Sequence, residues 1–175
     1  MPVAVPLHEI RAEFAELDDP VDRTTYLIEI GRTLPPLAEP LKSEENRVLG
    51  CQARVWMSAQ DHPGPPRTLE FLADSDAQIV RGLIAVLLAA YSEKTPAEIV
   101  AFPIDKLLAE LKLPALVPMR SNGLTAMVRR IQAIAKVAAD SETRSNQAAQ
   151  SLPLVPLKPR PADQPVAGTD RPAAA

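Results

Sequence analysis

Leu7, Ile10, Phe14 and Leu17 recur at steps of three and four, a spacing that predicts a first helix with these side chains on one face. A second apolar set, Tyr26, Leu27, Ile30 and Leu34, follows Asp19-Pro20 and stops at Pro35-Pro36. Aspartate caps a helix well and proline suits its first position, so a second helix is expected between these signals. The period then changes to two. Residues 52–57 alternate polar and apolar, residues 67–72 do so more loosely, and DHPGPP at 61–66 lies between them. That order predicts a β-hairpin with a longer loop. Two strands alone are marginal, so a third is expected near Arg47-Val48.

Residues 79–91 are apolar on nearly every side, as in a helix at the centre of a domain, and Gly82 within them reads as a close-packing position. The preceding Asp74-Ser75-Asp76-Ala77-Gln78 sets Ser75 and Gln78 at the spacing of a capping box. Thr95-Pro96-Ala97-Glu98 is another such start, and Phe102-Pro103 and Leu113-Pro114 punctuate two short helices. A last amphipathic helix is expected over 121–139, with Leu124, Met127, Val128, Ile131 and Ile134 opposite Arg129, Arg130 and Lys136. The expected class is α+β, a small antiparallel sheet packed with helices.

Composition sets the limits. A chain of 175 residues with 46% hydrophobic content suits one domain plus a tail. The expected division is a domain over 1–140 and a Pro-rich tail over 141–175. Residues 151–175 hold six prolines without a helical or alternating period, and read as a disordered, polyproline-leaning extension. Pro153, Pro156 and Pro159 also repeat as a recognition peptide would. The net charge of −3, with both signs interspersed, gives no footprint for nucleic acid or an anionic membrane. No apolar run is long enough for a membrane span, and the N-terminus lacks the pattern of a signal peptide. A cytoplasmic protein is expected, and the single cysteine excludes an intrachain disulfide.

Little in the chain resembles a catalytic apparatus. His8 and His62 stand far apart in sequence and Cys51 is the lone cysteine, so no metal site is expected. No phosphate loop or Ser–His–Asp signature occurs, and His62, in the hairpin loop, reads as solvated rather than as a base for Cys51. That leaves Cys51, in NRVLGCQARVW at 46–56 beside the only tryptophan, Trp56. A lone cysteine can simply be a small buried hydrophobe. Here Gly50 permits a turn and Gln52 interrupts the apolar run, while Arg47 and Arg54 are candidates to favour the thiolate by their positive charge, or are surface solubilisers. Without a second cysteine, an adduct on Cys51 must be resolved by another molecule, which points to group carriage rather than a dithiol cycle.

NRVLGCQARVW resembles the cysteine motif of the SufE family of cysteine desulfuration proteins, which includes CsdE. Three further segments resemble the family in order and spacing: ADSDAQIVRGLIAVLL at 73–88, KTPAEIVAF at 94–102 and MRSNGLTAMVRRI at 119–131. The resemblance covers roughly residues 5–140. It implies a fold similar to the IscU scaffold fold and a role as sulfur carrier. A pyridoxal-phosphate-dependent cysteine desulfurase of the SufS or CsdA type would pass persulfide sulfur to Cys51, and a SufBCD-type scaffold would receive it for iron–sulfur cluster assembly. The chain itself would be a persulfide carrier and activator rather than an enzyme, without a resident cofactor, as monomer or homodimer. Gly50, Gln52, Asp74 and Arg120 are the expected partner-binding or supporting residues. Asp74 also reads as part of a helix cap, and Arg120 precedes a helix start where its charge opposes the dipole. Val48, Leu49 and Trp56 are candidates to shelter a persulfide, or are ordinary core residues. Ala53-Arg54 stand where many relatives have Ser-Gln, and Glu93 where many have Gly. A desulfurase-binding adaptor without an obligatory thiol and a thiol sensor or hydrolase are the competing readings.

Overall fold

The computed structural model describes residues 5–150. α1 (Leu7–Glu16) buries Ile10 and Phe14, and α2 (Pro20–Arg32) buries Leu27 and Ile30, so both apolar faces fall where the periodicity puts them. Asp19 caps α2 by accepting a hydrogen bond from the Val21 amide at 2.6 Å. Arg23, buried between the helices, donates to the carbonyls of Leu17, Phe14 and Leu111. A guanidinium has donors enough to satisfy several helix-end carbonyls at once.

β1 (Val55–His62) pairs antiparallel with β2 (Thr68–Ser75), Val55 opposite Ser75 and His62 opposite Thr68. The hairpin is shifted from its expected place. Residues 52–54 are loop, whereas Asp61 and His62, expected in the turn, are strand. Polar pairs across the hairpin explain the shift: Arg67 clasps Asp61 and His62 lies 2.8 Å from Glu70, so polar residues extend the ladder without an apolar face. The third strand shrinks to a bridge between Arg47 and Trp56, with Val48 N–H donating to Val55 O at 2.9 Å. A second bridge, Leu69 to Lys94, covers part of the opposite edge.

α3 (Gln78–Tyr91) buries ten of its residues. It crosses α2 so closely that a Cβ on Gly82 would overlap the Leu27 carbonyl, which is the close-packing role expected of that glycine. The expected capping box before α3 does not form. Ala77 is the N-cap and makes no side-chain bond. β2 pairing runs through Ser75, and its hydroxyl donates to Arg54 O at 2.8 Å while accepting from the Ala77 amide. The long-range strand contact takes the residue that a local helix start would have used.

α4 (Pro96–Ala101) carries the complete Thr95–Glu98 capping box. α5 (Ile104–Glu110) and α6 (Leu113–Leu116) follow, so Leu113-Pro114 opens a short helix of its own. α7 runs from Ser121 to Gln150. Among its described side chains the last buried one is Ala138, close to the expected domain end, but the helix continues past it. The proline-rich stretch at 151–175 lies outside the described residues. Glu93 has φ 56°, a left-handed conformation that glycine adopts without cost and that a side chain strains.

Candidate functional site

A loop over 49–54 carries Cys51, and its neck is closed on both sides. The Val48–Val55 ladder bond holds one side. Arg54 and Asp76 hold the other, through Arg54 N–H to Asp76 at 3.0 Å, Asp76 N–H to Arg54 O at 3.3 Å and the side-chain pair at 2.9 Å. Between these fastenings Gly50 takes φ 93°, a conformation that L side chains rarely adopt, and turns the chain so that Cys51 points inward.

The Cys51 side chain is half-buried, and its thiol donates to Gly123 O in the first turn of α7 at 3.5 Å. It lines a cavity of about 70 Å³. Val80 and Leu83 of α3, with Leu124 and Met127 of α7, form its apolar wall; Met119, Arg120, Asn122 and Gln52 are also in the lining. A space of roughly 15 Å³ already admits a water-sized group, so an additional sulfur has room. Leu49, next to Gly50, and Met119, in the cavity lining, are 80% and 77% exposed.

Burial pushes the Cys51 thiol above its ordinary pKa, and the nearby Arg47 charge offsets this only in part. The expectation that Arg47 and Arg54 favour the thiolate is therefore corrected for this resting conformation. Desolvation outweighs Arg47, while Arg54 is engaged by Asp76. Arg47 pairs with Glu44 at 3.6 Å, and Arg47, Arg54 and Lys42 all stand within 6.0 Å of the Trp56 ring centre.

Of the expected site residues, Gly50, Cys51, Gln52 and Arg120 come together around one cavity. Asp74 does not join them. It is buried at the end of β2, where it accepts from Arg81 and from the Leu37 amide at 3.2 Å, with Lys42 at 3.5 Å. Its role is neither a helix cap nor a direct cavity contact. The proposed shelter of Val48, Leu49 and Trp56 is also replaced: Val48 is core, Leu49 is exposed and Trp56 sits among cations, and none of them lines the cavity. The side chains that do so, Val80, Leu83, Leu124 and Met127, looked in the sequence like any other core positions. His62 lies at the turn end of the hairpin and pairs with Glu70, away from the lining of the Cys51 cavity. Among the described residues no three His, Cys, Asp or Glu side chains are grouped as metal ligands, and no helix is long and apolar enough to cross a membrane.

Comparison with known proteins gives this site a context. The SufE family model, described as an Fe-S metabolism associated domain, matches residues 8–135. An uncharacterized SufE-like protein of Rhizobium etli is 44% identical over 135 residues, covering 76% of this chain and 91% of that protein. Another from Rhizobium meliloti is 39% identical over 134 residues, covering 74% and 94%. The solution structure of a hypothetical protein from Thermus thermophilus superposes with a TM-score of 0.62 over 78% of this chain and 98% of that one. At 23% identity, that likeness supports the α+β fold alone.

Proposed function

The chain belongs to the SufE family of Fe-S metabolism associated domains, and on that premise we propose that it is a covalent sulfur carrier working through Cys51. The observation that supports this most directly is the seating of the only thiol in a small cavity with one apolar wall, near exposed Leu49 and Met119. Carriage needs such a place, because a persulfide must be kept from water and stray thiols yet be released on docking.

The donor is a cysteine desulfurase holding sulfur as an enzyme persulfide. The Cys51 thiolate attacks the outer sulfur of that persulfide. The new S–S bond forms as the bond to the donor's cysteine sulfur breaks, and the donor sulfur leaves with the electron pair. The persulfide proton stays on the transferred sulfur, the Cys51 proton ends on the departing thiolate, and no net oxidation occurs. At rest, burial disfavours the Cys51 thiolate, the reactive form. Docking on Leu49 and Met119 draws the loop out of its cavity, which removes the desolvation and leaves the Arg47 charge to favour the thiolate. Gly50 supplies the turn, Gln52 and Arg120 meet the partner at the rim, and Asp74 supports the frame from behind. The recipient is an iron–sulfur scaffold of the SufBCD type, in the cytoplasm.

Intact-protein mass spectrometry without reductant, after incubation with a cysteine desulfurase and free cysteine, tests this reading. Gain of sulfur on the Cys51 peptide, reversed by a thiol reductant, is expected, with loss of both loading and desulfurase stimulation in Cys51→Ser. Stimulation retained by Cys51→Ser would replace the carrier with a non-covalent adaptor.

A further inference from the structure

Gly123 has no backbone reason to be glycine. It lies in the first turn of α7, its φ is not positive, and alanine is the better helix former there. Other glycines have visible causes: Gly50 needs its positive φ, and Gly31 and Gly82 let α2 and α3 cross. A Cβ on Gly123 would meet Cys51 first. Its three nearest atoms all belong to Cys51, with Sγ at 3.2 Å and Cα and Cβ at 3.5 Å. Real Cβ atoms seldom come as close as that sulfur contact, so one partner has to yield. α7 is anchored by buried Leu124, Met127 and Val128, whereas Cys51 rides on a loop fastened at its neck and, beyond it, by the one sulfur hydrogen bond to Gly123. The loop yields.

We propose that Gly123 is a positioning residue for sulfur carriage: its missing side chain is the seat in which the Cys51 thiol rests, and its carbonyl accepts the thiol hydrogen. Any side chain at 123 displaces Cys51 toward solvent and shifts the loop from its sheltered to its presented state. This deepens the carrier reading and rests on it for its purpose, though the seat itself rests on geometry alone.

The test uses Gly123→Ala and Gly123→Val in the full chain. Alkylation of Cys51 by iodoacetamide is followed from about pH 6 to pH 11, which brackets ordinary thiol titration, with melting temperature measured on the same samples. The seat predicts alkylation near neutral pH about fivefold faster in Gly123→Ala and faster again in Gly123→Val, because exposure both opens access and restores the thiolate. The midpoint of the pH profile falls in the same order. A merely structural glycine predicts a higher melting temperature in Gly123→Ala with alkylation unchanged, and rates and midpoints within about twofold of the parent overturn the proposal. A second reading guards against misfolding of the valine variant. In a Cys51→Ala background, where the sulfur is gone, Gly123→Ala should raise the melting temperature more than it does beside Cys51; equal increments would also overturn the seat. Neither readout involves sulfur transfer. A chain that takes no sulfur yet shows the alkylation series loses the carrier reading and keeps the seat, and the reverse result does the opposite.

Discussion

At the end of β2 two carboxylates stand two residues apart and hold different kinds of structure. Asp74 turns inward to Arg81, the Leu37 amide and Lys42, and Arg81 in turn donates to the carbonyls of Gly31 and Leu34. Asp76 turns outward and clasps Arg54 at the neck of the cysteine loop, a pair with Arg54 largely exposed. Beyond that neck, the thiol of Cys51 is tied by one sulfur hydrogen bond. The inner junction is built from several desolvated, mutually dependent bonds, the loop from a few weak or solvated ones. A region that must keep its shape and a region that must be drawn out by a partner therefore differ in the number and burial of their fastenings, not in the residue types used.

Removing the inner carboxylate should have the largest effect. Asp74→Ala leaves Arg81 partly buried without its anion, and a loss of about 3 kcal/mol is expected in urea unfolding. A loss under about 1 kcal/mol would mean that the inner junction is no firmer than the loop, and the contrast would collapse. Gly82→Ala drives a methyl group into the Leu27 carbonyl where α3 crosses α2, and about 2 kcal/mol should be lost. An unchanged midpoint would show that the crossing has slack.

On the outer side, Asp76→Asn should cost no more than about 1 kcal/mol, while amide exchange over 49–54 quickens relative to α3. Arg54 holds the Asp76 carboxyl below its ordinary range. That pair's contribution is present above the unfolded carboxyl pKa and fades as pH falls through the lower folded value. The parent should therefore lose its small advantage over Asp76→Asn only in acid, below about pH 4. An advantage that instead vanished between pH 6 and 8, roughly the histidine range, would point to another group. Smallest of all, Glu93→Gly relieves a left-handed backbone but loosens the unfolded chain, for a net gain of about 0.5 kcal/mol. It belongs to neither region, so it should leave the exchange rates of both untouched.

Much of this was legible in one dimension. The faces of α1, α2 and α3, the Asp19 cap, the Thr95–Glu98 box and the close approach at Gly82 follow from spacings within one or two turns, because periodicity and capping are local physics. The solitude of Cys51 also follows from reading alone, and it excludes any intrachain dithiol chemistry. Other features needed the chain to fold back. Ser75 carried a helix-start signal, but strand pairing with Val55 claimed it. Asp74 found Arg81 and Leu37 only because β2 ends beside the α2–α3 crossing. The arginines flanking Cys51 promised a thiolate, and burial reversed the sign.

The sequence by itself determined that these elements form and that one thiol is available to work alone. The tertiary structure decided where that thiol rests, since its hydrogen-bond acceptor and much of the apolar wall come from α3 and α7, the acceptor being 72 residues away. Local patterns encode which way a side chain faces on its own element. What it meets there depends on how distant elements share a core, and desolvation, the largest influence on the Cys51 pKa, is set by that meeting.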